Sequence, residues 1–214
     1  MADDSPVVVY GASGHGKVVV DILRANGVKI EGFVDDDPQK SGEVSGLKIL
    51  GNIKWLTQRA TQISVALGIG DNFYRCRIAE HCIAAGIHLA TAIHPSATVA
   101  ASATISSGTA IMPHAVINAD AVIGQGAIIN TAAIVEHDCS IGNFSHLSPR
   151  VAIGGHVQVG DLAWLGIGST VIPNRKIGKG AIIGAGSTVI HDVDDWVVAV
   201  GTPAYILKKL VPRN

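Results

Sequence analysis

The stretch AVINADAVIGQGAIINTAAIVEHDCSIGNFSHL, from Ala115 to Leu147, decides the fold. An aliphatic residue returns in it every six positions: Ile117, Ile123, Ile129, Val135, Ile141 and Leu147. Followed outward, the series starts at Ile93 and runs without a miss to Val189, which makes 17 hexads. Two positions ahead of most of these residues stands something small, such as Ala115, Ala121, Ala127, Ala133, Cys139 and Ser145. Glycine often follows, as at Gly124, Gly142, Gly154, Gly160, Gly166, Gly178 and Gly184. A six-residue period is the mark of a β-helix, in which three hexads close one triangular coil. Each aliphatic side chain then points inward and stacks on its equivalent 18 residues away, so that Val99, Ile117, Val135, Ile153, Val171 and Val189 form one column. The small residues fit near the corners, and the glycines are expected to supply backbone dihedrals that other residues avoid. A core this narrow has no room for rings, in keeping with 48% hydrophobic residues but only 4% aromatic ones.

Ahead of the hexads the pattern is of another kind. Val7–Tyr10 is a β-branched run ending in GASGHG, with helical character following from Val18 to Leu23. Ile30–Val34 reads as a second strand ending in Asp35, Asp36 and Asp37, with a short extension at Lys48–Leu50. Ile63–Leu67 reads as a third strand, followed by GIGDN and a helix over about 72–85. Strands alternating with helices predict a parallel sheet covered by helices. The expected division is an α/β Rossmann-like domain over 1–90, a parallel β-helix over 91–195, and a C-terminal strand and tail over 196–214 that includes Lys208 and Lys209. The fingerprint G-x-x-G-x-G departs from the G-x-G-x-x-G of dinucleotide binders. It still lets backbone N–H groups and a helix N-terminus approach an anion, and Asp35 and Asp36 are placed to accept ribose or base hydrogen bonds.

The balance of 16 basic against 17 acidic residues, a formal charge of −1, speaks against a nucleic-acid scaffold. No apolar run is long enough for a membrane span, and the start lacks the pattern of a signal peptide. Cys76, Cys82 and Cys139 are an odd number without CxxC spacing, which predicts a reduced, cytoplasmic protein.

The YGASGHGKVVVDIL, FVDDD and IGDN segments, the unbroken hexads with NTAAIVEHDCSIGNFSHLSP, and the closing GTPA resemble the sugar-nucleotide acetyltransferases related to PglD and NeuD along essentially the whole chain. The resemblance implies a homotrimer of left-handed parallel β-helices, each with a Rossmann-like N-terminal domain and with active sites between subunits. It implies acetyl transfer from acetyl-CoA, as co-substrate and without a further cofactor, to the C4 amine of a nucleotide-linked 4-amino-4,6-dideoxyhexose such as GDP-perosamine or a UDP-bacillosamine precursor. Carried over position by position, His137 is the general base, Asp138 the carboxylate that tunes it, and Asn130 a neighbour of the transferring centre. His146, Gly155, Ile167 and Ala185 correspond to acetyl-CoA contacts; Ser13, Gly14, His15, Asp35, Asp36 and Gly70 correspond to sugar-nucleotide contacts.

The residues themselves agree with that assignment. His137 lies two positions after the inward Val135 and points outward between Glu136 and Asp138. A carboxylate on one ring nitrogen fixes the tautomer and leaves the other nitrogen basic. Cys139 occupies the small inward position, where a buried thiol is inert, so direct attack by the amine is expected rather than an acyl-cysteine. A backbone N–H near Gly155 is the expected oxyanion donor. His137, His146 and His156 do not fall on one corner, so no metal is expected. Three readings stand beside the main one: a sialic acid O-acetyltransferase, a non-catalytic trimeric sugar-nucleotide binder, and a zinc-dependent hydrase.

Overall fold

A computed structural model describes residues 6–212. The chain divides into two compact units, Met1–Pro95 and Ser96–Asn214.

In the first unit, β1 (Val7–Tyr10), β2 (Ile30–Val34), β3 (Glu43–Val44), β4 (Leu47–Gly51), β5 (Ser64–Leu67) and β6 (His88–Leu89) form a sheet of order β3-β4-β2-β1-β5-β6. All pairs are parallel except the β3–β4 hairpin. Every residue of β1 and β5 is buried, as continuous apolar strands covered on both faces must be. The helices are α1 (Gly14–Ala25), α2 (Ile53–Thr57) and α3 (Asn72–Ala84). The short α2 has no sequence pattern of its own; the Asn52 side chain starts it by accepting from the Lys54 and Trp55 N–H groups.

The second unit is a left-handed parallel β-helix. Each hexad contributes a two-residue strand whose second residue is the predicted aliphatic one, from Thr98–Val99 to Thr188–Val189. The strands pair in parallel with a stagger of 18, and the column Val99, Ile117, Val135, Ile153, Val171, Val189 is present in full. From Ile111 onward the inward aliphatics are no more than 4% exposed, and the small residues before them are equally buried, Ala115, Ala121, Ala127 and Ala133 at 0%. Burying an aliphatic side chain contributes roughly 1.5–3 kcal/mol, so each coil of three gains several kcal/mol towards its ordering entropy.

The glycines do not act as expected. The left-handed dihedrals belong to another slot, three residues ahead of each aliphatic, where one residue in every six from Gly108 to Gly186 has φ between 53° and 72°. Non-glycine residues hold nine of these positions, among them Asp120, Asp138, His156 and Asn174. The glycines that follow the aliphatics have ordinary dihedrals and serve close approach: a Cβ on Gly142 would sit 2.4 Å from the Asp161 nitrogen, and one on Gly160 2.6 Å from that of Lys179.

The hexad pattern ends at Val189, but the stack continues. Val193 bridges Ile177 in parallel, and Val197–Gly201 pairs with Ile182–Ile183 before an antiparallel hairpin brings in Ala204–Lys209. The stagger falls from 18 to 16, which conceals this last partial coil from a search for sixfold period.

Candidate active site

His137 and Asp138 are the two turn residues of one corner, between the inward Val135 and Cys139. The turn sends both side chains outward, 54% and 43% exposed. The His137 ring donates from Nδ1 to Asp138 Oδ2 at 2.7 Å. A carboxylate only accepts, so the neutral ring carries its proton on Nδ1 and leaves the Nε2 lone pair open. This hydrogen bond, helped by His156, holds the Asp138 carboxyl below the usual carboxylate range. Asp138 has φ of 58°, a conformation that Asp tolerates better than most residues.

Eighteen residues further, the same corner carries Gly155 and His156. The His137 ring lies against the bare α-carbon of Gly155, where a Cβ would come within 2.6 Å of Cε1 and 2.7 Å of Nε2. The Gly155 carbonyl accepts from the Asn174 N–H at 3.0 Å. Among the described residues no acceptor is found for the Gly155 N–H. His156 stacks directly over Asp138, with Nε2 3.6 Å from Oδ2 and its ring perpendicular to that of His137 at 5.4 Å. Its N–H also holds the His137 carbonyl at 3.0 Å. Cys139 is buried and donates to the Gly154 carbonyl at 3.2 Å, and burial raises its thiol pKa. It is no nucleophile in this setting. The room left by Gly154 is taken by Pro173, whose Cδ would be 2.7 Å from a Cβ.

Asn130 and His146 stand elsewhere in the prism. Asn130 Nδ2 donates to His146 Nε2 at 3.0 Å, while its carbonyl oxygen accepts from the Thr131 N–H at 2.8 Å. His146 is 8% exposed and lies parallel to Trp164, centroids 5.9 Å apart, and the Trp164 Nε1–H is held by the Ser148 hydroxyl at 2.9 Å. Ile167 and Ala185 occupy equivalent positions on later coils of this corner, both exposed. The expected site residues therefore divide between two neighbouring corners one hexad apart. Six extended residues span up to about 20 Å, beyond the reach of one side chain.

In the first unit, the three glycines of GASGHG have three different jobs. Gly11 has φ of +107° and would carry a Cβ 2.7 Å from the Gly68 carbonyl oxygen; a Cβ on Gly16 would strike the Gly11 carbonyl. Gly14 has nothing within 4 Å, and neither has Gly70 across the sheet end, so both present bare backbone to solvent. Ser13 precedes α1 without capping it through its side chain, and is exposed. His15 is half-buried, and burial, with the Arg75 cation nearby, depresses its pKa to about 4. Asp35 and Asp36 line a cleft of about 350 Å³ with Asp37, Lys40 and Asn52. Both are already engaged by the protein: Asp35 accepts from the Ala12 N–H and Lys40 Nζ, each at 2.8 Å, and Asp36 from the Tyr10 hydroxyl at 2.5 Å and the Ile53 N–H at 2.9 Å. Their first task is to hold the loop ends of β1, β2 and β4 together.

Neither Arg75 nor Trp164 stands out in the sequence, which also did not show that His156 shares the His137 corner. Arg75 is fully buried in α3 and donates to the Ile69 and Gly70 carbonyls at 3.0 Å and to Asn72 Oδ1 at 2.8 Å, which fixes the loop around Gly70. A lone arginine in a helix carries no sign of that. The signal for the other two is the 18-residue stagger, which sets His156 over Asp138 and Trp164 beside His146.

Comparisons agree with this architecture. The sequence profile of the PglD N-terminal domain matches residues 6–82, and that of the bacterial transferase hexapeptide (six repeats) matches residues 156–191. Comparison with curated protein sequences gives no significant match. Among solved structures, a histidine-to-asparagine variant of perosamine N-acetyltransferase from Caulobacter crescentus, in complex with CoA and GDP-perosamine, is 42% identical over 95% of this chain and 97% of its own, with a TM-score of 0.91. The acetyltransferase domain of PglB from Neisseria gonorrhoeae, in complex with acetyl coenzyme A, is 34% identical over 96% and 100%, also at 0.91. WeeI from Acinetobacter baumannii is 26% identical over 94% and 99%, at 0.85. The fold and these likenesses define an enzyme of the hexapeptide-repeat acyltransferase class. Within it, the chain belongs to the PglD/NeuD-like family of sugar-nucleotide N-acetyltransferases. Among the described residues no helix is long and apolar enough to cross a membrane.

Proposed function

We propose that this enzyme moves the acetyl group of acetyl-CoA to the C4 amine of a GDP-linked 4-amino-4,6-dideoxyhexose such as GDP-perosamine. The first unit holds the nucleotide sugar through Ser13, Gly14, His15 and Gly70. Identity of 42% to an enzyme bound to GDP-perosamine supports a GDP-linked substrate. The observation that carries the mechanism is the outward His137 ring, oriented through Nδ1 by Asp138 at 2.7 Å and lying against the bare α-carbon of Gly155.

In the reaction, the neutral C4 amine attacks the thioester carbon and its proton passes to His137 Nε2. The developing oxyanion is held by the Gly155 N–H, which is fixed by rigid backbone and needs no reorganisation. The tetrahedral intermediate collapses with loss of the CoA thiolate, and the imidazolium returns the proton to sulfur. Asp138 keeps the ring in the useful tautomer and stabilises the transient cation.

The division of site residues between two corners supports a homotrimer. The corner with His137 and Gly155 on one prism meets, on its neighbour, the corner with Asn130, His146, Ile167 and Ala185, and acetyl-CoA runs between them. We place the enzyme in the cytoplasm, a reading supported by three cysteines that form no disulfide among the described residues.

The test is release of CoA thiol with GDP-linked 4-amino sugar, its UDP counterpart and a hydroxyl acceptor, each with wild type and His137→Ala. General-base catalysis contributes about 10²- to 10⁴-fold, so His137→Ala is expected to lower turnover by that factor with nucleotide binding kept. Unchanged turnover would remove His137 from the mechanism, and activity confined to the hydroxyl acceptor would overturn N-acetylation.

A further inference from the structure

The mechanism uses His137 and Asp138 and leaves His156 without a task. Yet His137 Nδ1 and His156 Nε2 both face one carboxylate oxygen, at 2.7 and 3.6 Å, and one donor atom from each of the three residues lies within 4.8 Å of the others. Two imidazoles and a carboxylate are a donor set that suits borderline divalent ions. Three ligand atoms on a tetrahedral zinc at about 2.1 Å stand about 3.4 Å apart. The side chains are all about half exposed and reach that spacing by small rotations, while the β-helix turns that carry them are fixed.

We propose that His137, Asp138 and His156 form a binding site for a zinc-like divalent cation, and that occupancy silences the base. The ion takes the Nδ1 lone pair of His137, so the ring's single proton must move to Nε2. A ring protonated at Nε2 cannot accept a proton from the amine. His156 thus converts an oriented base into one that a metal can switch off. The recess beside His156 is also lined by Arg175 and Lys176, which oppose a cation. Arg175 is partly offset by Asp192 at 3.7 Å. These neighbouring cations make the expected affinity weaker than that of the same three ligands alone.

The silencing depends on His137 being the base, whereas the binding does not. The experiment is calorimetric titration of the EDTA-treated full chain with zinc chloride, beside thiol-release assays with and without zinc. His156→Asn is the main variant, because Asn accepts the left-handed dihedral at this position, and His156→Gly is the second, free of any dihedral cost. Wild type is expected to bind one ion per chain, to lose acetyl transfer in zinc and to regain it with EDTA. Both variants are expected to bind at least about tenfold more weakly and to resist zinc in the assay. Identical isotherms for wild type and both variants would overturn the site. His156-dependent binding with undiminished transfer would overturn the silencing. If His137→Ala kept full turnover, the base assignment would fail while the calorimetric result stood.

Discussion

Replacing Gly155 with alanine tests the proposed site through a single methyl group. The added Cβ would lie 2.6 Å from His137 Cε1 and 2.7 Å from Nε2, against an ordinary contact of 3.4 Å or more. Gly155 has no left-handed dihedral, so alanine meets no such backbone penalty, and the three nearest atoms it would strike all belong to the imidazole. The ring must withdraw by about 0.8 Å, the difference between those distances. Its 2.7 Å bond to Asp138 then stretches towards 3.5 Å, where a hydrogen bond has largely gone. A misplacement of about 1 Å costs roughly 10²-fold in rate, or about 2.7 kcal/mol of activation free energy. Gly155→Ala is therefore expected to reduce kcat about a hundredfold, with KM for the nucleotide sugar and thermal stability little changed. A coupled thiol-release assay reads the rate. The double variant with His137→Ala separates causes: if the methyl acts through the ring, it should cost less than about threefold once the ring is absent. A single variant within about threefold of wild type would refute the reasoning, and an undiminished hundredfold cost in the double variant would assign the effect to something other than the imidazole.

Three further outcomes follow from the geometry. Arg75→Met leaves the Ile69 and Gly70 carbonyls without their buried donor and should lower stability by about 3 kcal/mol in urea unfolding, with weaker nucleotide-sugar binding as the loop loosens. His15 is held neutral down to about pH 4, whereas the unfolded chain takes up the proton near 6.5, so stability should fall as pH drops through that window by at most about 3 kcal/mol, and His15→Asn should flatten the dependence. Gly142→Ala drives a methyl into the Asp161 backbone at 2.4 Å and should cost about 1–3 kcal/mol, while Gly70→Ala, with nothing within 4 Å, should leave the melting temperature nearly unchanged.

The prism was legible because its rule is local and repeated: each aliphatic from Val99 to Val189 occupies the second place of its strand. Direction was legible too, since His137 had to face outward two residues after Val135. What the sequence concealed was the reason for its glycines. A glycine needed for a dihedral and one needed for a close approach are the same letter, and only the distance from Gly142 to Asp161 separates them. The α2 helix escaped because five residues carry no period, and its start depends on one side chain, that of Asn52. Asp35 and Asp36 stood out as acids at a strand end, but their partners Lys40, Ala12, Tyr10 and Ile53 are 5 to 26 residues away, distances that no local pattern records.

A stack of coils opens from its ends inward, because a terminal rung has a neighbour on one side only. In the β-helical unit the inward side chains at the first rungs, Val99 and Ile105, are part-exposed, whereas Ile117, Ile123, Ile129 and Val135 are sealed at 0%. The imidazole and its carboxylate are mounted on the far side of those sealed rungs, with further coils beyond. Fraying at either end thus leaves the reacting groups registered to the ångström, and amide protons around Val135 and Ile141 should be among the last in the unit to exchange with heavy water.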